Sequence, residues 1–248
     1  MNSNRIKRHS GFRYYFFNIL LFVIILALIT GFVIVFFCPT KNIKVKGNHI
    51  CPDTVISAAI VRDSFDENAI YCLLHNKIKP VKDIPFVRDY KIILSNRNTL
   101  TVRVKEEEPY GYVESEKGDS YIYYDESGKV LEVSERLLED VFRVAGITAK
   151  KATPGEALPV GESNVKTILL IEDEIKREEL PVDAVTFSED GTITFMVRDI
   201  LVNLGTRASL SEKLRRLPYI LPKLKKQRGT LHLEEWSEEN TDIVFERE

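Results

Sequence analysis

Cysteine is scarce in this chain of 248 residues: Cys38, Cys51 and Cys72 are all it has. An odd number at wide spacing does not make a disulfide framework. A single Cys51–Cys72 bridge stays open, since it requires only that two Cα atoms come within about 7 Å. The default is buried, idle thiols. Histidine is almost as rare, at four. His49, Cys51, Cys72 and His75 together offer the imidazoles and thiolates that zinc favours. However, neither His49-Ile50-Cys51 nor Cys72-Leu73-Leu74-His75 contains the usual C-x2-C knuckle, and no turn glycine frames Cys72, so no metal or other cofactor is expected. The G-x-S-x-G, H-E-x-x-H, Walker A and G-x-G-x-x-G patterns are all missing, which leaves catalysis without positive support. With Gly 12 and Pro 10, collagenous and low-complexity classes are excluded.

Charge is missing in one place only. Residues 1–13 hold Arg5, Lys7, Arg8 and Arg13 and no acid, residues 14–37 hold no charged group, and residues 38–248 carry 31 basic against 37 acidic side chains. A net-acidic body repels phosphates, so no nucleic-acid partner is expected. The uncharged run, Tyr14 to Phe37, is 24 residues interrupted only by Asn18, Thr30 and Gly31. As a helix it reaches roughly 36 Å, against about 30 Å for a bilayer core. A cleaved signal peptide is disfavoured, because its apolar region is about 7–15 residues and Val35-Phe36-Phe37-Cys38-Pro39 has no A-x-A-like cleavage site. The expectation is a single-pass protein of the cell membrane: residues 1–13 a cytoplasmic tail, 14–37 the span, and everything from Cys38 outside the cytoplasm. The flanking cations set that orientation, and Tyr14 and Tyr15 suit the inner interface.

Beyond the span, the pattern predicts an α+β protein. Ile43 and Val45 alternate with lysines as a short strand, and Gly47-Asn48 turns it. Pro52-Asp53 opens a helix with Val55, Ile56, Ala59 and Ile60 on its apolar face. A second helix over Tyr71–Ile84 is interrupted by Pro80. A hairpin follows, from Tyr90–Leu94 through Asn96-Arg97-Asn98 into Thr99–Lys105, where Leu100, Val102 and Val104 alternate with polar residues. The order is strand, helix, helix, strand, strand, with a core of Val55, Ile56, Ala59, Leu100, Val102 and Val104. Glu106-Glu107-Glu108-Pro109 closes this unit as a solvated strand end. Residues 109–248 then read as a mixed β-rich domain. Strands are expected at Tyr110–Val113, Ser120–Tyr124, Lys129–Leu131, Phe142–Val144, Ala184–Phe187, Thr192–Val197, Leu201–Leu204, Thr230–Trp236 and Asp242–Phe245. Two amphipathic helices interrupt them, one marked by Val165, Ile168, Leu169, Glu172 and Ile175, the other by Leu210, Leu214, Leu217, Ile220, Leu221 and Leu224.

Several short motifs sit in a telling order: Ile43-Lys44-Val45-Lys46-Gly47-Asn48, Ile84-Pro85-Phe86-Val87, Leu100 to Glu106 with Pro109, Asp125 to Leu131, Val144-Ala145-Gly146-Ile147, Gly155-Glu156-Ala157-Leu158, and Val202-Asn203-Leu204-Gly205-Thr206 ahead of the helix that holds Lys213. In that order the chain resembles, over nearly its whole length, the DivIB/FtsQ family of bacterial cell-division proteins. The resemblance implies a polypeptide-transport-associated (POTRA) domain over residues 38–108 and a β domain over 109–248. It also implies a non-enzymatic divisome scaffold at the septum, which binds FtsL-like and DivIC/FtsB-like single-pass partners outside the membrane and supports septal peptidoglycan synthesis. An envelope chaperone or sensor bearing a POTRA domain, and an anchored cell-wall enzyme, are the alternatives. Pro80 departs from the family pattern in the second POTRA helix.

The partner site is expected in the last two strands, at Leu231, Leu233, Trp236, Ile243 and Phe245, because a terminal strand offers unpaired backbone groups to an incoming one. Trp236, the single tryptophan, is either an edge anchor or a core residue of the β domain. Residues 234–248 hold seven acids and one Arg, and the preceding segment holds Lys213, Arg215, Arg216, Lys223, Lys225, Lys226 and Arg228. These charges either orient the partner or face water and each other.

Overall fold

The structure, a computed structural model, describes residues 9–182, 184–237, 240 and 242–247. Helix α1 spans His9–Phe37, so it begins within the expected tail, whose residues 1–8 lie outside the described part. Inside α1, Tyr14–Val33 is a 20-residue stretch of mean hydropathy 2.8 with none of it buried. Such a helix satisfies its own backbone, as lipid demands. Thr30 Oγ1 donates to the Leu26 carbonyl at 2.8 Å, so the one aliphatic hydroxyl in the stretch is satisfied as well. The helix fits a single-pass membrane anchor.

The chain divides into two compact units between Glu106 and Glu107. The first contains β1 (Asn42–Lys46), α2 (Asp53–Ile60), α3 (Ala69–Ile78), β2 (Val87–Asn96) and β3 (Thr99–Glu106), in the predicted order. Its sheet runs β1-β3-β2, with β1 parallel and β2 antiparallel to β3. Leu100, Val102 and Val104 point from β3 into a core shared with Ile56, Ile60, Ala69 and Cys72. Val55 does not join them. It is 40% exposed, because α2 turns Ile56 and Ile60 inward as an i, i+4 pair and Val55 lies about 100° around the helix from Ile56. Pro80 marks a boundary and not a kink: α3 stops at Ile78, capped by the Lys79 N–H on the His75 carbonyl. The Glu106 carboxylate is also more than a solvated strand end. It accepts the backbone N–H groups of His49, Ile50 and Cys51 at 2.6, 2.8 and 2.7 Å and so fixes the turn between β1 and α2.

The second unit holds β4 (Gly111–Ser115), β5 (Tyr121–Tyr124), β6 (Val130–Ser134), β7 (Phe142–Ala149), α4 (Glu162–Arg177), β8 (Ala184–Phe187), β9 (Ile193–Val197), β10 (Ile200–Gly205), α5 (Leu210–Ile220), β11 (Gly229–His232) and β12 (Val244–Arg247). Its nine strands form one sheet, ordered β12-β11-β10-β9-β8-β7-β4-β5-β6. Parallel neighbours cannot be joined by a tight turn. Accordingly α4 connects the parallel pair β7 and β8, and α5 connects the parallel pair β10 and β11. Both helices cover one face: Ile168, Ile171, Leu214 and Leu217 share a buried cluster with Val185, Phe195, Val202 and Leu231. The apolar pattern from Leu210 to Leu224 is not one α-helix. A 3-10 turn over Leu221–Leu224 takes over after Ile220, since Pro222 has no N–H for the carbonyl four residues back.

Candidate functional site

The last two strands carry the expected partner site, and their neighbours explain how it is held. β11 lies parallel to β10, with Val202 opposite Leu231 and Asn203 opposite His232. β12 folds back antiparallel, placing Leu231 opposite Phe245 and His232 opposite Val244. β12 is a terminal strand of the sheet. Gly229 is needed where the two strands meet: its φ is +142°, and a Cβ there would strike the Glu246 carbonyl.

Alternation sorts the five predicted residues into two groups. Leu231 and Leu233 are each 1% exposed and Trp236 is 4% exposed, all in the core of the β-rich unit. They lie in the core beneath the edge, so of the two places considered for Trp236 the structure gives the core one. Phe245 is half-buried against the same cluster, and Ile243 is 40% exposed. The expected strand Thr230–Trp236 ends at His232. There the neighbouring ladder runs out: Leu233 N–H makes one more bond, to the Asn203 carbonyl at 2.8 Å, and Trp236 N–H closes a turn on Leu233.

Lys213 anchors that turn. It is 2% exposed, and its ammonium donates to the carbonyls of Leu204 and Glu234 at 2.8 and 2.9 Å, joining α5 to the ends of β10 and β11. Burial lowers its pKa, opposed by the carboxylates of Glu234 and Glu235. The sequence places Lys213 among exposed cations, but it lies beside Leu210, Leu214 and Leu217 on the apolar stripe of α5, a signal that it turns inward. Among the described residues, three of the other cations have partners outside the C-terminal acids. Arg215 approaches Glu174 at 3.8 Å, Arg228 approaches Asp199 at 3.6 Å, and the Arg216 guanidinium lies 5.3 Å from the centre of the Trp236 ring. Of the C-terminal acids, Glu238, Glu239 and Glu248 fall outside the described residues.

On the opposite side of β11, His232 stands between two carboxylates, with Nδ1 2.8 Å from Glu234 and Nε2 3.5 Å from Glu246 on β12. The hydrogen bond to Glu234 is the main cause of its raised pKa.

The zinc set considered from the sequence is not brought together. Among the described residues, the cluster with closely spaced donor atoms is Asp63, Asp66 and His75, all within 4.8 Å. Its geometry is accounted for by the fold. Asp63 caps a 3-10 turn, and Asp66 holds the Arg62 N–H at 2.9 Å and His75 Nδ1 at 3.0 Å. No disulfide links Cys51 and Cys72, which are both buried. Burial is the main reason that the Cys72 thiol is pushed up to about 11.

No family model matches the chain. Over 199 residues it is 25% identical to Cell division protein DivIB of Clostridium tetani (strain Massachusetts / E88), an alignment that spans 78% of this chain and 73% of that protein. The likeness is to a cell-division protein. At this identity the DivIB likeness supports a DivIB/FtsQ-like family and a role in cell division, and it agrees with an apolar N-terminal helix followed by a small α+β unit and a larger β-rich one.

Proposed function

We propose that the protein is a membrane-anchored, non-enzymatic scaffold of the division machinery whose β12 edge takes up a strand from a DivIC/FtsB-like single-pass partner. An FtsL-like protein joins the same assembly, which sits at the septum with its bulk outside the cytoplasm and supports peptidoglycan synthesis there. The carrying observation is that β12 is terminal in a nine-stranded sheet. Its neighbour β11 is held from below by buried Leu231, Leu233 and Trp236, so the edge is preorganised for strand addition. Ile243 and Val244, 40% and 59% exposed, supply apolar surface beside it.

The placement of Leu231, Leu233 and Trp236 in the core dictates the test. Truncation after Arg228 would remove core residues and confuse binding with folding. Removing residues 242–248 instead spares that core. In full-length protein reconstituted in nanodiscs, this shorter deletion should abolish capture of a purified DivIC/FtsB-like partner while the cooperative unfolding of the β-rich unit persists. Undiminished capture by the folded deletion variant would place the site elsewhere.

A further inference from the structure

Helix α3 is apolar on its outer face as well as its inner one. Ala69, Cys72 and Asn76 turn into the first unit and are buried. At about 100° per residue, Leu74 and Ile78 fall at the centre of the opposite face, with Tyr71 beside them. Leu74 is 51% exposed, Ile78 76%, and Tyr71 is exposed too. Phe65, on the 3-10 turn Ser64–Glu67 that precedes α3, extends the row: it is 68% exposed, and its ring centre lies 5.7 Å from that of Tyr71. A helix on a protein surface normally carries polar groups on its outer face. Scattered apolar side chains there are ordinary, whereas a contiguous row of them marks a contact.

What this row meets is indicated by where the chain enters the unit. Cys38, the residue after α1, accepts the Ala69 N–H through its carbonyl at 2.9 Å, and the Thr40 N–H donates to the Glu67 carbonyl at 2.6 Å. Between them, the Pro39 carbonyl accepts Asn98 Nδ2 at 2.7 Å. The apolar helix therefore passes into the folded body without a linker, and the point of passage is the start of α3. With ten residues, α3 extends only about 15 Å from that point. A surface tethered so closely to a bilayer meets it at high effective concentration, so a small apolar area is enough to hold it there. The exposed charges nearby are mixed, Arg62, Lys77 and Lys79 against Asp63 and Glu67, which gives no reason for an anionic surface. Lys77 and Lys79 flank Ile78, where their stems can cover apolar surface while the ammonium groups stay among headgroups.

We propose that the outer face of α3, together with Phe65, lies on the outer leaflet of the cell membrane. The side chains of Phe65, Tyr71, Leu74 and Ile78 enter the boundary between headgroups and acyl chains, where aromatic and aliphatic groups of an interfacial helix settle. The contact fixes the tilt of the first unit on the bilayer. It rests on the reading of α1 as a membrane anchor with the bulk of the chain outside the cytoplasm.

The test uses full-length protein with isotope-labelled Leu and Ile methyl groups, in nanodiscs of zwitterionic lipid of which a fraction carries a nitroxide just below the headgroup. The Leu74 and Ile78 signals should lose at least half their intensity relative to discs without nitroxide, and lose more than Ile93, which alternation puts on the far face of the sheet from α3. Leu20 and Ile24 of α1 report separately on the anchor. The double variant Leu74→Gln, Ile78→Gln should relieve the broadening at Ile70, and Phe65→Ser should do so independently. Unchanged Leu100 signals would show that each variant is folded. Broadened α1 signals with Leu74 and Ile78 affected no more than Ile93 would overturn the proposal and leave the anchor standing, whereas unbroadened α1 signals would overturn both. Broadening at Ile70 that persists in both variants, or signals of Leu74 and Ile78 that respond to an added partner protein or to self-association and not to the nitroxide, would also overturn it.

Discussion

Glu172 shows how much a single residue depends on what surrounds it. It is 3% exposed on α4, its Oε1 accepts the Tyr124 hydroxyl at 2.6 Å, and its Oε2 has no partner among the described residues. Burial pushes its pKa to about 8, against the opposing effects of the Tyr124 hydrogen bond and Lys176. Tyr124 is raised in turn, by burial first and then by the charge of Glu172. Gly111 makes room for the pair, because any side chain there would strike both. An acid with a folded pKa above its unfolded value of 4.5 binds more protons when folded, so stability falls as pH rises between about 4.5 and about 8 and is level beyond. Glu172→Gln should flatten that slope, with a gain of a few kcal/mol at pH 8, measured by denaturant unfolding across this window. The position of Glu172 on the inward stripe of α4 is legible from its spacing with Ile168 and Ile175. Its raised pKa is not, since that comes from burial in the packed unit, against which the Tyr124 hydroxyl, brought by β5 from 48 residues away, pulls the other way.

At the level of elements, period was the reliable guide. The strict alternation of Leu100, Val102 and Val104 predicts their common face, and all three are buried, Val102 completely. Val102→Asp places an unpaired charge between α2, α3 and the sheet, which should cost about 4 kcal/mol or more and melt the first unit ahead of the β-rich one. Two transitions in calorimetry, with the lower one displaced, would show this. Where prediction missed, short elements were the cause. Over the eight residues of α2, the pattern admits Val55 or Ile60 equally well at the edge of the stripe, and only the packed sheet selects Ile60. β11 looks continuous through Trp236 in sequence, yet it stops at His232, where β10 bulges between Asn203 and Gly205 and the chain turns so that the Trp236 N–H bonds the Leu233 carbonyl. Glu106 resembles its neighbours Glu107 and Glu108 in sequence, and only the return of β3 alongside the turn after β1 gives its carboxylate three amides to hold.

For the whole molecule, the buried clusters of both units contain, among the described residues, none from α1. The folded body holds the chain just after α1 through Cys38, whose carbonyl accepts the Ala69 N–H at 2.9 Å, and through the Thr40 N–H, which donates to the Glu67 carbonyl at 2.6 Å. A protein lacking residues 1–37 should therefore remain folded and monodisperse in solution, with both unfolding transitions unchanged and partner capture retained. Loss of either transition would show that the anchor contributes to the fold.

The apolar N-terminal helix, the fold class and the order of elements follow from sequence alone, because each rests on local physics: an uncharged run long enough to cross a bilayer, periods of two and of 3.6, and prolines that end helices. The identity of the terminal strands and the roles of individual side chains required the tertiary structure. Strand order is a property of pairings between distant segments, which put β12 and β6 at the ends of the larger sheet and β2 at an end of the smaller one. The same pairings turned Leu231, Leu233, Trp236 and Lys213 inward and left Ile243 at the surface. Alternation marks Leu231 and Leu233 as sharing a face, but that this face is dry depends on α4 and α5 packing over the sheet, which no local pattern encodes.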